Sequence, residues 1–187
     1  PQKYPAPRPH RRIFDVLFLG YAPWRFDKTT NRIKHEVYLK SMKKCLIVLG
    51  MHRSGTSAFT GILDLLGVNL GTKMLETQPD NPTGFFENKY VVLANDCVLE
   101  TLNSSWDDTY LLPHDWLGRF EGSQLQVDIR SFLRTDIVDD QLYALKDPRL
   151  CRLLPLWLPL LSAEDVVPHF AIIIRNPLEI AESLSLR

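Results

Sequence analysis

The chain reads as an α/β protein, a three-layer sandwich with a central parallel sheet. Three observations predict this. Apolar runs at residues 46–49, 142–145 and 169–174 are short and do not alternate with polar residues, as expected of parallel strands covered on both faces. Stretches of helical periodicity lie between them, which calls for helices packed on one sheet. Arg53, Lys146 and Arg175 fall at or just past the ends of these strands, at the sheet edge where open α/β folds bind ligands.

In chain order, residues 1–12 are rich in Pro, Arg and His and read as a linker, followed by a strand at 13–20 and a short charged helix-like stretch at 34–43. Residues 1–42 are therefore either the tail of a preceding domain or an extra edge element of the same sheet. Residues 43–187 form the main domain. Its first strand, Cys45-Leu46-Ile47-Val48-Leu49, drops into Gly50-Met51-His52-Arg53-Ser54-Gly55-Thr56-Ser57. Ala58, Phe59, Ile62, Leu63, Leu65 and Leu66 then recur at helical spacing up to Gly67, a stop signal.

Residues 71–84 are dominated by turn formers, offer a place for an acceptor to enter, and lead into Phe85-Phe86-Glu87-Asn88. Val91, Asn95, Val98, Leu99 and Leu102 mark a helix that sets Glu87 at or just before its N-terminus. Residues 103–122 are aromatic and irregular, with Trp106, Tyr110, His114 and Trp116; they read as a binding wall or lid, or as a surface loop with its aromatics tucked into the core. After the last strand, Asn176 suits an N-cap, Pro177 the first helical position and Glu179 the third. That helix is still running at Arg187, so the domain is expected to be truncated at its C-terminus.

The segment 50–57 carries the most specific chemistry. A strand, a turn built on Gly50 and Gly55 and a helix start together present unsatisfied amides at the positive end of a helix dipole, which favours an anion. Thr56 and Ser57 add hydroxyls. Against the nucleotide-triphosphate pattern G-x-x-x-x-G-K-[ST], both glycines and the final hydroxyl are present, but Thr56 stands where the lysine belongs and the cation sits at Arg53. The later strands close with Lys146-Asp147-Pro148-Arg149 and with Arg175-Asn176, so cations rather than a metal-binding carboxylate come first. This pattern suggests a site that receives anions directly, without a metal.

His52-Arg53-Ser54-Gly55-Thr56-Ser57 resembles the 5'-phosphosulfate loop of sulfotransferases that use 3'-phosphoadenosine 5'-phosphosulfate (PAPS). Ile172-Ile173-Ile174-Arg175-Asn176-Pro177, with Ser183 eight residues after the arginine, resembles that family's 3'-phosphate motif. Lys146-Asp147-Pro148-Arg149 is similar to a Lys-Asp-Pro segment of some members, including tyrosylprotein sulfotransferases. The three occur in the family's order, cover residues 43–187 and are closest in texture to bacterial sulfotransferase-family proteins.

The resemblance implies a P-loop NTPase-like sulfotransferase fold and PAPS as co-substrate. Arg53, the amides of Ser54, Gly55 and Thr56, and the Thr56 and Ser57 hydroxyls would hold the phosphosulfate. Lys146 would stabilise charge on the bridging oxygen, while Arg175 and Ser183 anchor the 3'-phosphate. Glu87 is the first choice for the general base, ahead of His52 and His114; Asp147 would orient Lys146 or cap backbone amides. The acceptor would be a hydroxyl, or an amine, on a carbohydrate or small molecule. The competing readings are an atypical P-loop kinase or nucleotide hydrolase, which would need Mg²⁺, and a noncatalytic nucleotide-binding fragment.

With 187 residues, 45% of them apolar, the chain can bury one substantial core. Zero formal net charge gives no bulk electrostatic reason to bind nucleic acid or an anionic membrane. No apolar run approaches the roughly 20 residues a membrane span needs. Cys45, Cys97 and Cys151 match neither a zinc nor a disulfide pattern and are expected to be core or near-core thiols in a reducing, cytoplasmic compartment.

Overall fold

The computed structural model describes residues 15–20, 43–78, 81, 84–138 and 141–185; the helix-like stretch at 34–43 lies, but for Lys43, outside them. The expected core strands are present: β2 (Lys43–Leu49), β3 (Leu142–Lys146) and β4 (Val166–Ile174). β2 is central and pairs in parallel with β3 on one side and β4 on the other. β1 (Asp15–Gly20) runs antiparallel to β4 as an edge strand, giving the order β1-β4-β2-β3. The register matters for function: Val48 is level with Lys146 and with Ala171, so β2 and β3 end within a residue of each other while β4 runs three residues past that level, to Ile174.

Alternate residues of these strands enter two separate cores. Cys45, Ile47, Leu49, Tyr143, Leu145 and Val166 face a large cluster made with α2 (Lys89–Thr101), α3 (Gln124–Asp136) and α4 (Leu150–Ala163). Leu46, Val48, Ala144, Ala171 and Ile173 face a smaller one with Leu63 of α1 (Thr56–Leu65), Leu70 and Phe86. A sheet with helices on both faces is thus the α/β arrangement expected from the non-alternating apolar runs.

Local sequence explains each helix. In α2 the expected face, Val91, Asn95, Val98, Leu99 and Leu102, is buried throughout, and the Asn88 side chain caps the start by accepting from the Tyr90 amide. Ser123 caps α3 in the same way, accepting from Gln126. Pro155 and Pro159 lie inside α4. Spaced four apart, they share its solvent side, where water can take the carbonyls they leave unbonded, while Leu153, Leu156, Trp157 and Leu160 point into the core. A short 3₁₀ helix (Trp116–Phe120) sends Trp116 and Phe120 into the same core.

The apolar stripe of α1 is wider than its buried face. Leu63 is buried, whereas Ile62, Leu65 and Leu66 are exposed, because the helix rests on the sheet along only one line. Its end follows the glycine signal: Gly67 has φ +82°, its amide reaches Asp64 O, and the Val68 amide reaches Leu63 O, a Schellman closure. A Cβ at Gly67 meets open space, so the left-handed backbone alone sets the cost of Gly67→Ala. We expect that substitution to destabilise the fold by about 1–2 kcal/mol in urea titrations; an unchanged midpoint would mean the turn is not held in this conformation.

Candidate functional site

The 50–57 turn is built by steric and backbone constraints. A Cβ on Gly50 would stand 2.7 Å from Thr56 Cγ2 and 2.9 Å from the carbonyl oxygen of Ile173, so only glycine lets the turn lie this close to β4. Arg53 has φ +65° and Gly55 φ +102°, and such left-handed steps turn successive amides toward one concavity, a geometry that binds anions. The first helical bond of α1 is Phe59 amide to Gly55 O, which leaves the amides before it without a helical partner. The Ser54 amide, expected to face the anion, is instead spent on Met51 O at 3.1 Å, closing the turn. Ser54 Oγ lies beneath the turn, buried and without a hydrogen-bond partner among the described residues. Thr56 is buried as well.

At one end of the turn, three expected residues come together. Arg53 Nε donates to Ser183 Oγ at 2.9 Å, and Arg175 Nη1 donates to the carbonyl of Arg53 at 3.0 Å. Ser183 and Arg175, which are expected to flank one phosphate, do not bond each other directly. Arg175 folds back instead onto Glu179 of α5 (Pro177–Ser185), 2.9 Å away and one helical turn on. Asn176 caps this helix as expected, its side chain accepting from the Leu178 amide.

At the other end, Lys146 leaves β3 almost completely buried. Its ammonium has three donors, and three acceptors meet them: Ser57 Oγ at 3.1 Å, the Phe85 carbonyl at 3.0 Å and Glu87 Oε1 at 2.5 Å. Ser57 Oγ also donates to Phe85 O, so that hydroxyl serves the lysine and the 84–87 segment. Burial pushes the Glu87 carboxyl above its ordinary value of 4.5, and the Asp147 charge pushes it further, against the opposing pull of Lys146 and Arg149. Glu87 sits one residue before the N-cap of α2, as anticipated.

Behind this pair lies a buried polar network whose members are far apart in the sequence. Asp147 accepts from the Arg149 amide and Nη1 on one oxygen and from Asn95 Nδ2 on the other. Asn95 accepts from Trp157 Nε1 at 2.8 Å, and Arg149 also pairs with Asp96. The sequence did carry a signal: Asn95 is the polar residue in the apolar periodicity of α2.

The aromatic segment divides between its two readings. Trp116 is core, whereas His114 and Tyr110 are exposed and Trp106 packs on the His52 ring with centroids 4.7 Å apart. Arg152 fastens the segment to α4 through Ser105 O, Ser104 Oγ and Tyr110 O. Of the cysteines, only Cys45 is buried; Cys97 of α2 and Cys151 of the first turn of α4 are exposed, contrary to expectation. Although the residue as a whole is exposed, Cys151 Sγ lies against the turn, accepting the Gly50 amide at 3.2 Å, and the desolvation there raises its pKa. A cleft of about 520 Å³ runs along the turn-rich segment and is lined by Gly71, Met74, Leu75, Thr77, Gly84 and Phe86 among others.

No family model, curated protein or solved structure matches the chain. No helix among the described residues is long and apolar enough to cross a membrane.

Two measurements probe the Lys146–Glu87 pair. Lys146→Met strands a buried carboxylate and should cost about 3–5 kcal/mol of stability, with much of the loss recovered in Lys146→Met/Glu87→Leu; additive single effects would contradict the pairing. Because the Glu87 carboxyl is raised on folding, its proton is held more tightly by the folded state, and stability should fall as pH rises from about 4.5 through the folded value. Glu87→Gln should flatten that part of the pH–stability profile, and a profile identical to the parent's would refute the assignment.

Proposed function

We propose that the chain is a sulfotransferase of P-loop NTPase-like fold, which moves a sulfuryl group from PAPS to a hydroxyl, or an amine, of a carbohydrate or small molecule. The observation that carries the reading is the convergence of Arg53, Lys146 and Arg175 at one end of the parallel sheet, around a glycine-dependent turn that opens a helix. A doubly anionic donor suits such a site: cations stand at both ends of the turn, and α1 offers free amides between them. The buried Ser54 hydroxyl beneath the turn is a further polar group with capacity to spare.

On this reading Arg53 and the amides of Gly55 and Thr56 hold the phosphosulfate, while Arg175 and Ser183 take the 3'-phosphate. The acceptor oxygen attacks sulfur as the bond from sulfur to the bridging oxygen breaks. The acceptor proton passes to Glu87, whose raised proton affinity suits a base. The electron pair of the broken bond remains on the bridging oxygen, which takes over the Lys146 donor now given to Ser57 Oγ. The contact between Lys146 and Ser57 supports this placement, since it puts the cation against the turn itself. Asp147 is poorly suited to hold a kinase-type Mg²⁺, because both of its oxygens already accept from Asn95 and Arg149.

Isothermal titration of 3'-phosphoadenosine 5'-phosphate without Mg²⁺, beside ATP with Mg²⁺, tests the proposal. Metal-independent binding of the bisphosphate is expected, weakened about 10- to 100-fold by Arg175→Ala, as for loss of charged hydrogen bonds worth about 1.5–3 kcal/mol. Preference for Mg-ATP would favour a kinase-like activity instead, and binding of neither would overturn the donor assignment.

A further inference from the structure

We propose that Asn95 and Asp147 are positioning residues for the Lys146–Glu87 pair, with the chain Trp157–Asn95–Asp147 fixing a buried negative charge against Glu87. The proposal rests on reading Glu87 as the reacting carboxylate.

The donor and acceptor chemistry leaves this chain one arrangement. An indole nitrogen only donates, so Trp157 Nε1 must meet the Asn95 oxygen. A carboxylate only accepts, so the Asn95 amide nitrogen must meet Asp147 Oδ2. The amide is thereby oriented from both ends. The other Asp147 oxygen takes the Arg149 amide at 2.9 Å and Nη1 at 3.0 Å. Asp147 has no exposed surface, and a carboxylate so placed persists only when donors fill its lone pairs.

The connectivity gives the network its consequence. Asn95 and Asp96 are adjacent on α2, and they hold Asp147 and Arg149 of the turn that follows β3. The same helix begins just after Glu87, and the same turn begins just after Lys146. The network therefore locks the element carrying the carboxylate to the element carrying the ammonium. Lys146 bonds Glu87 directly, and the charges of Asp147 and Arg149, held on the adjoining turn, act on it through space. Asp147 is the one of these that favours the proton-bearing form of Glu87, and Asn95 holds it in place. None of the hydrogen bonds of Asn95 or Asp147 reaches residues 50–57, so these residues should govern proton transfer without governing anion binding.

The test is carboxyl-detected NMR titration of the full chain labelled with ¹³C-glutamate, in which the Glu87 signal is identified by its loss in Glu87→Gln. Indole ¹⁵N signals of the four tryptophans report folding in the same samples. Asp147→Asn is expected to move the Glu87 midpoint to lower pH, and Asn95→Ala to move it the same way by a smaller step while shifting the Trp157 indole signal. An unmoved Glu87 midpoint in a folded variant overturns the proposal; should Asp147→Asn fail to fold, Asn95→Ala decides. Titrating the bisphosphate into the same proteins separates the two readings. Wild-type protein that binds no bisphosphate, with the Glu87 midpoint displaced in the variants, counts against the donor assignment and leaves the positioning network standing. Intact bisphosphate binding with an unmoved Glu87 midpoint removes the network alone.

Discussion

A buried ammonium must be met by acceptors on every side, and in this fold the Lys146 side chain imposes that demand where three elements end. Desolvating a lysine costs several kcal/mol unless its donors are used. Here they are used on α1 through Ser57, on the 84–87 segment through the Phe85 carbonyl, and on the threshold of α2 through Glu87. Shift any of these and a buried charge loses a partner. The parallel register of β2 with β3 makes the arrangement possible, since it brings Lys146 level with Val48, two residues before the turn begins at Gly50.

Much of this was legible because it depends on local rules. Short apolar runs without alternation gave the parallel strands, and glycine at 67, asparagine at 176 and proline at 177 marked helix ends that the backbone obeys. Strand-terminal cations gave the location of the candidate site, because a parallel sheet gathers strand ends whatever lies between them. Side-chain pairing was less legible. Ser183 lies eight residues beyond Arg175, yet it meets Arg53, 130 residues earlier in the chain, since α5 lays its flank against the turn while Arg175 turns toward Glu179. Sequence spacing carries no information on which of two nearby guanidinium groups a hydroxyl will meet.

The widths of buried faces are hard to read from sequence for a related reason. Periodicity reports which residues could be buried, and neighbours decide which are. Ile62, Leu65 and Leu66 share the pattern of Leu63 but are exposed among the described residues, whereas Asn95 interrupts an apolar pattern and is wholly buried because Trp157 and Asp147 satisfy it. A polar residue in an apolar face marks a place where burial was secured by hydrogen bonds, and such places gather around charged chemistry.

The cations at the far end of the turn differ from Lys146 in kind. Arg175 is half-buried and its ion pair with Glu179 is an exposed contact between residues one helical turn apart, worth only a few tenths of a kcal/mol. Its bond to the Arg53 carbonyl supports a residue held in a left-handed conformation that non-glycine residues adopt at some cost. On the proposed reading, an incoming phosphate can therefore displace Glu179 at little expense while the carbonyl contact keeps both guanidinium groups in place. The Lys146 end is rigid because its charge is buried, and the Arg175 end is exchangeable because its partner is exposed. That asymmetry suits a donor whose reacting end must be fixed and whose far end must be released after each turnover.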